Sequence, residues 1–440
     1  MLYILLGLNV LLLLQGAFSL FEGFRFLAFV RSALNRKESV FASPVCVICP
    51  CKGIDTGLEE NLSALLRQDY PDYQVIFAIA RADDPARPVI ERCICLSPKP
   101  ERSKIIVASP AVGRGEKVNN LLGALAQVAA DREVLVFTDS DARTGPTWLT
   151  DLVGPLDGEK IGDKIGAKVG ATTGYRWYLP AAGGFWSKLL SAWNGSVATT
   201  LGDHGRNFAW GGSTAIKRDT FDNAGVAEAW AGAVSDDYVL TRGLQRAGFQ
   251  IRFVPPCLLV TREDASLRSL LEFTTRQVII TRVYRPAAWW TGFISHALFV
   301  AGFFGELILG IYQIVLRLVG PASIPFGSHA SHSAGMPALW ITLGLIYLLG
   351  SLKGVLRIKA ALSALPGYRR DILTCWWMFC LLWPLVSLLF LYNFVRSALT
   401  RRIVWRGVSY ELRSASETVV IDSAVGASPD RSVATGSVPE

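Results

Sequence analysis

Residues 133–143 read EVLVFTDSDAR, and the fold class turns on them. An apolar run of strand length (133–137) stops abruptly at Thr138-Asp139-Ser140-Asp141. A short apolar run bounded by polar turn residues reads as a buried strand. The same grammar repeats upstream. Residues 45–48 form such a run and close in Pro50-Cys51-Lys52-Gly53, and residues 73–79 (YQVIFAI) close in Arg81-Ala82-Asp83-Asp84-Pro85-Ala86. Residues 103–108 make a further strand, and helical stretches at 62–66 and 119–130 lie between the strands. Strands alternating with helices predict an α/β domain with a mainly parallel sheet. Ligands of such sheets sit beyond the carboxyl ends of the strands, so both acidic clusters are expected at one crevice.

Two carboxylates spaced as in Asp139-x-Asp141 at a strand end can reach one hard cation. Mg2+ or Mn2+ is held by few carboxylates plus substrate phosphates, and offsets the charge of a departing diphosphate. The plainer reading is a turn whose aspartates cap the next helix. Asp83-Asp84 is open to the same two readings. Ser235-Asp236-Asp237-Tyr238 opens a helical stretch at 238–247; either aspartate is an N-cap or a general base for an acceptor hydroxyl. Lys117, at the start of the helix after Gly113-Arg114-Gly115, suits a diphosphate at a helix N-terminus or is a surface lysine. No phosphate-binding G-x-x-x-x-G-K-[ST] loop and no dinucleotide G-x-G-x-x-G fingerprint succeeds the first strand. His204, the only histidine between 31 and 285, is read first as structural and second as a contact to donor or acceptor.

Apolar composition is concentrated outside this domain. The chain of 440 residues is 51% hydrophobic and only 18% charged, with a mean hydropathy of +0.34. Residues 2–20 are long enough to cross ~30 Å of hydrocarbon. Arg25, Arg31, Arg36 and Lys37 come after them, which predicts a signal anchor with the globular domain on the cytosolic side. Residues 289–318, 338–352 and 373–395 are further apolar segments, the last with Pro384 inside it. Four full spans would leave Arg401, Arg402 and Arg406 on the outer face, against the positive-inside tendency, so one segment is expected to be re-entrant or interfacial. Residues 353–370 suit an amphipathic surface helix. Past Leu412 a lack of periodicity predicts a disordered tail. A net charge of +8 fits anionic headgroups better than nucleic acid, for which no aromatic–basic module appears. The eight cysteines, five of them in the β-like runs VCVICPC and RCICL, read as reduced core thiols. His329 and His332 read as part of a solvated connector.

Taken in order, six stretches resemble the inverting family 2 glycosyltransferases, and among them the ceramide glucosyltransferase type with its bacterial hopanoid and glycerolipid relatives. They are PVCVICPCKG (44–53), NLSALLRQDYPDYQVIFAIARADDPA (61–86), GEKVNNL (115–121), FTDSDAR (137–143), FAWGGSTAIKRDTF (208–221) and SDDYVLTRGLQRAG (235–248). RRIVWRGVSYEL (401–412) resembles the cytosolic tail of such enzymes. The resemblance implies a GT-A fold, a nucleotide-sugar donor and a membrane lipid acceptor. It implies donor binding by Asp83, Asp84, Lys117, Asp139 and Lys52, and metal binding by Asp139 and Asp141. Asp237 becomes the general base with Asp236 in support, and Gly211, Gly212, Ser213 and His204 line the sugar or acceptor. One element departs from the family: where it carries Q/R-x-x-R-W, this chain reads Arg276-Gln277-Val278-Ile279-Ile280-Thr281-Arg282. Arg276, Gln277 or Arg282 is then expected at the diphosphate, and the tryptophan's place is unfilled.

The expected organisation is an anchor at 1–30, a transferase domain at 31–285, a membrane region at 286–398 with two to three transmembrane or re-entrant helices, and a tail at 399–440. A processive polysaccharide synthase and a non-catalytic membrane scaffold are the competing readings.

Overall fold

The computed structural model describes residues 2–36, 43–157, 168–319 and 335–423. His329 and His332 lie outside them. In chain order the elements are α1 (Leu2–Leu34), β1 (Val45–Pro50), α2 (Leu58–Leu65), β2 (Tyr73–Ile79), α3 (Ala86–Cys95), β3 (Ser103–Val107), α4 (Glu116–Leu125), β4 (Val134–Thr138), α5 (Trp148–Val153), β5 (Lys168–Leu179) and α6 (Phe185–Ala198). Next come β6 (Ser213–Lys217), α7 (Arg218–Asn223), α8 (Val226–Trp230), α9 (Asp236–Arg246), β7 (Phe249–Arg262), α10 (Leu267–Tyr284) and α11 (Pro286–Val319). The remainder is α12 (Gly335–Ala364), α13 (Arg369–Thr374), α14 (Trp376–Cys380), α15 (Trp383–Leu399), β8 (Arg402–Trp405), β9 (Val408–Ser414) and β10 (Glu417–Ser423).

Seven strands form one sheet in the order β3-β2-β1-β4-β6-β5-β7. The pairings β3–β2, β2–β1, β1–β4 and β5–β7 are parallel, whereas β6 runs antiparallel to both β4 and β5. Both faces of the sheet are covered. Along β1, Val45, Val47 and Cys49 enter one core while Cys46 and Ile48 enter the other, and all six residues are buried. A strand buried on both faces needs a continuous apolar run rather than alternation, which is why VCVICP reads as it does. RCICL is a correction: residues 92–95 lie in α3, with Cys93 buried and Cys95 exposed. Ile90 and Cys93, three apart, form the inward stripe of that helix, so the short β-like run turns across both faces of a helix and only Cys93 of it is buried.

Among the described residues, three helices are long and apolar enough to cross a membrane, over Gly7–Leu34, Pro286–Val315 and Pro337–Ala364. Gly16 and Gly23 of α1 meet Leu349 and Leu356 of α12 in register, so these two helices run parallel. Gly302 of α11 meets Leu12 and Leu8, and Gln15 donates to Ser295 Oγ, so α11 runs the other way.

Residues 353–364 continue the long helix α12 and are not a separate surface helix. Beyond it the chain passes inward to Trp383, which lies against Gly350 and Phe299, and returns along α15 until Ser397 meets Trp289. A Cβ at position 350 would fall 2.2 Å from the Trp383 ring, so only glycine permits that approach. Both arms of this excursion hold the sheet domain, through Asp371 to Arg262 and Asn393 to Thr274 and Thr275. Pro384 stands in the first turn of α15, where its missing N–H costs nothing, so it starts a helix instead of kinking one. The fourth apolar segment is therefore broken into α13, α14 and a 17-residue α15.

Residues 413–423 also differ from expectation, while the remainder of the expected tail, 424–440, lies outside the described residues. β8, β9 and β10 form a three-stranded antiparallel sheet. Tyr410 and Leu412 join the second core of the main domain, which supplies the burial that periodicity alone does not reveal.

Candidate active site

β4 is buried along its whole length, and its last residue anchors the acidic turn at its end. Thr138 Oγ1 donates to Gly212 O at 3.1 Å, tying the strand end to the loop before β6. Asp139 then meets two cations: Lys117 Nζ lies 2.7 Å from Oδ1, and Arg176 Nη2 lies 2.7 Å from Oδ2. Arg176 extends from β5, reaches Asp141 Oδ2 at 3.3 Å and packs over the rings of Trp210 and Tyr178. Lys117, in the first turn of α4, also reaches Asp236 Oδ2 at 3.1 Å. The result is an alternating row, Asp236–Lys117–Asp139–Arg176–Asp141, drawn from separate parts of the chain. Gly211 must be a glycine here, because a Cβ would fall 2.0 Å from Asp236 Oδ2.

Burial works against every charge in this row, and partners decide which groups keep theirs. Burial opposes the charge of Lys117, but Asp139 and Asp236 outweigh it and lift its pKa above the usual lysine range. Arg176 is likewise held above its ordinary value against burial by Asp141, Tyr178 and Asp139. For Asp139, burial is overcome by Lys117 and Arg176, which pull it below the carboxylate range. Asp141 is pushed up by burial despite Arg176, with Asp139 and Asp55 adding like charge. Burial raises Asp236 from 3.8 to about 6 against the pull of Lys117.

Asp237 lies beside this row, at the start of α9. Its Oδ1 accepts from the Ser235 hydroxyl and, at 2.7 Å, from Tyr238 N. Oδ2 has no partner among the described residues, so one oxygen is oriented and the other remains available. Arg276, in α10, lies between the rings of Phe273 and Trp405 and donates to Val404 O. Burial lowers it to about 10, and no carboxylate lies within ion-pair distance among the described residues.

Asp139, Asp141, Asp236, Asp237, Lys117, Lys52, Arg276, Gln277, Gly211 and His204 all line one cavity of about 1830 Å³. His204 is at a margin of it; burial lowers its pKa, and Nδ1 accepts from Arg206 N. Five expected residues do not line that cavity. Asp83 is exposed and paired with Arg81. Asp84 is buried, and its Oδ1 accepts from Gly53 N at 2.8 Å and Ala86 N at 2.9 Å, fastening the loop after β1. Gly212 and Ser213 lie behind Gly211, where Ser213 Oγ accepts from Trp148 Nε1. Arg282 donates to Ser397 O and Ala398 O, capping the end of α15.

The cavity does not stop at the sheet. Phe18, Ser19, Phe26 and Phe29 of α1, Ala288, Thr291 and Gly292 of α11, Lys353 of α12, and Phe390 and Phe394 of α15 line the same space. Residues 176–193 (RWYLPAAGGFWSKLLSAW), whose mix of aromatics, leucines and cations suits either an interfacial lipid surface or an amphipathic helix on the sheet, reach it through Arg176, Tyr178 and Trp193. Asp55, Trp405 and Arg406, which motif reading did not assign, reach it too. Arg406 Nη2 lies 2.7 Å from Asp55 Oδ1, and Nη1 donates to Lys52 O. The one sequence signal for the last two is the stretch 401–412.

Among the described residues, no group of three or more His, Cys, Asp or Glu side chains is placed to hold a metal ion. Asp139 and Asp141 nonetheless suit a divalent cation that brings phosphate oxygens with it. Asp141 Oδ1 is buried without a partner among the described residues, and burial pushes its carboxyl up despite Arg176.

A family model described as glycosyl transferase family 21 matches residues 11–319, well over half of the chain. The chain belongs to glycosyl transferase family 21. The motifs resemble family 2 and its ceramide glucosyltransferase type; the family shown is family 21. This family 21 chain is similar to ceramide glucosyltransferase 3 of Caenorhabditis elegans, at 23% identity over 253 residues, covering 55% of this chain and 51% of that one. It is also similar to ceramide glucosyltransferase 1 of the same organism, at 30% identity over 108 residues, covering 24% and 22%. The matched parts thus span about half, or less, of those relatives' own lengths. Among solved structures, a mannosyltransferase of Pyrobaculum calidifontis in complex with GDP-Man and Mn2+ aligns at 15% identity with a TM-score of 0.44, covering 90% of this chain and 98% of that one. Glucosyl-3-phosphoglycerate synthase of Mycobacterium tuberculosis aligns at 15% identity with a TM-score of 0.34, covering 58% and 82%. At such scores neither assigns a role to any residue of this family 21 chain.

Proposed function

We propose that this chain transfers one sugar from a nucleotide diphosphate sugar, UDP-linked by preference, to the hydroxyl of a membrane lipid, with inversion, on a GT-A type domain. The carrying observation is the single cavity that joins the carboxylate–cation row to the space between α1, α11 and α15. Polar groups at one end suit a diphosphate, and phenylalanines at the other suit acyl chains. The acceptor is of ceramide, hopanoid or glycerolipid type, and the names of the matched relatives favour the first.

Asp237 takes the proton of the acceptor hydroxyl through Oδ2. The freed oxygen attacks the anomeric carbon as the bond from that carbon to the diphosphate oxygen breaks, and the nucleoside diphosphate departs with the electron pair. Lys117, Arg176 and Arg276 stabilise the developing negative charge from fixed positions, so no reorganisation is required at the moment of transfer. Asp236 orients Lys117 from the side away from Asp139. Asp139 and Asp141 would hold Mg2+ or Mn2+, which when bound offsets the charge of the leaving diphosphate. A charged nucleotide and Arg31, Arg401 and Arg402 all belong on the cytosolic face. The inward excursion and return of residues 365–399, added to three spans, leaves both ends of the described chain consistent with that topology.

The test is a screen of labelled UDP-, GDP- and other nucleotide sugars against membrane lipid extracts, in buffer with Mg2+ or Mn2+, reading the product by mass. One sugar added to a lipid supports the proposal. A polymer favours the processive reading, and no product with any donor removes the transferase reading.

A further inference from the structure

We infer that the turn Trp405-Arg406-Gly407, at the tip of the β8–β9 hairpin, is a clamp for the donor's diphosphate, with Trp405 as a flat wall beside it. The inference rests on the function proposed above and extends it to residues that no motif of the catalytic domain contains.

Arg406 is the only non-glycine residue with positive φ among the described residues, at +48°, and Gly407 comes next at +79°. Two successive left-handed residues make the tight hairpin turn that matches strand twist, with asparagine, aspartate or glycine the usual occupant of the first place and glycine of the second. An arginine there carries backbone strain that its side chain must justify, and such strain gathers at functional sites. The guanidinium points into the cavity beside Asp55, on the same side as Asp139 and Asp141. Asp55 Oδ1 and Lys52 O take one N–H group each, which orients the fork and leaves donors of a five-donor group for an anion. A planar guanidinium with such donors matches paired phosphate oxygens.

The small sheet that carries the hairpin is fixed at three further points. Tyr410 Oη accepts from Glu116 N, one residue before Lys117. The Arg276 guanidinium stacks on the Trp405 ring at 5.4 Å. Ser416 O packs so closely on Gly232 that a Cβ there would fall 2.0 Å from it. The tip therefore belongs to the crevice, where Trp405 and Arg406 line the same cavity as Arg276 of α10.

Arg406→Gly is the decisive variant, because it removes the guanidinium while relieving the backbone. Calorimetric titration of the full chain in detergent, with Mn2+ present, compares UDP with UMP, and GDP with GMP. The inference predicts that Arg406→Gly weakens diphosphate binding by about tenfold or more, leaves monophosphate binding within about twofold, and melts no lower than wild type. An unchanged ratio of diphosphate to monophosphate affinity overturns it. Should the variant melt early, Arg406→Gln, which retains donors for Asp55, decides by the same ratio. If wild type binds neither diphosphate, the proposed function fails first, which separates the two outcomes.

Discussion

Two acidic strand ends look alike in sequence and are put to opposite uses. Asp83-Asp84 lies after β2, and Asp139-Ser140-Asp141 after β4, each at the end of a buried apolar run. Asp84 spends a carboxylate oxygen on two backbone N–H groups and holds a loop. Asp139 and Asp141 face side-chain cations and an open cavity. Strand order decides between them. β4 lies where the sheet turns from parallel to antiparallel pairing, and β2 lies one strand from its edge. A carboxylate pair at a strand end is therefore no site by itself. Other elements, here α4 through Lys117 and β5 through Arg176, must present cations to it.

The largest effect that would sharpen this contrast is on turnover. Asp139→Asn deprives Lys117 and Arg176 of their shared partner, and Asp237→Asn removes the proposed base. Each should lower turnover by about 10²-fold or more, with the Asp237 variant still binding donor. Asp84→Ala should act on stability instead, costing about 1–3 kcal/mol for two backbone N–H groups left without their acceptor. Its turnover per folded molecule should fall less than tenfold, and a loss as deep as that of Asp139→Asn would break the contrast. The two arginines of α10 form a parallel test. Arg276→Ala should raise the donor KM by about tenfold, whereas Arg282→Ala should lower the melting temperature with donor KM unchanged.

The smallest effect is a pH dependence of stability. Asp236 is raised from 3.8 to about 6, so the folded chain binds the extra proton between those values. That contribution, up to about 3 kcal/mol, is fully present below pH ~4 and lost as pH rises through about 6. The melting temperature of wild type should therefore fall relative to Asp236→Asn across this window. Parallel curves would refute the shift.

The range of the contacts decides how much of this can be read from residues alone. β1, β2 and β4 are readable because strands buried on both faces need unbroken apolar runs. β5, with its glycines and threonines, and β6 in GGSTAIK carry no such run, and their place comes from pairing with distant strands. RCICL misleads because consecutive apolar residues look like a buried strand, whereas here they wind around the last turn of a helix and only Cys93 is buried. Lys117, Asp139 and Asp237 can be singled out by position after a strand or before a helix. Arg176 cannot, since its two carboxylate partners lie 35 and 37 residues away. Arg406 meets Asp55 across 351 residues, so only folding brings them together.

The central claim is that the acceptor reaches Asp237 from the bilayer through the cavity between the helices. Its most direct test is photo-crosslinking of a diazirine-bearing ceramide to the full chain in lipid, with sites read by peptide mass. The account predicts labels at cavity-facing positions such as Phe26 and Phe394, suppressed by excess unlabelled acceptor. Labels confined to outward-facing Ile308 and Ile311, from a chain that still makes glycolipid, would contradict it.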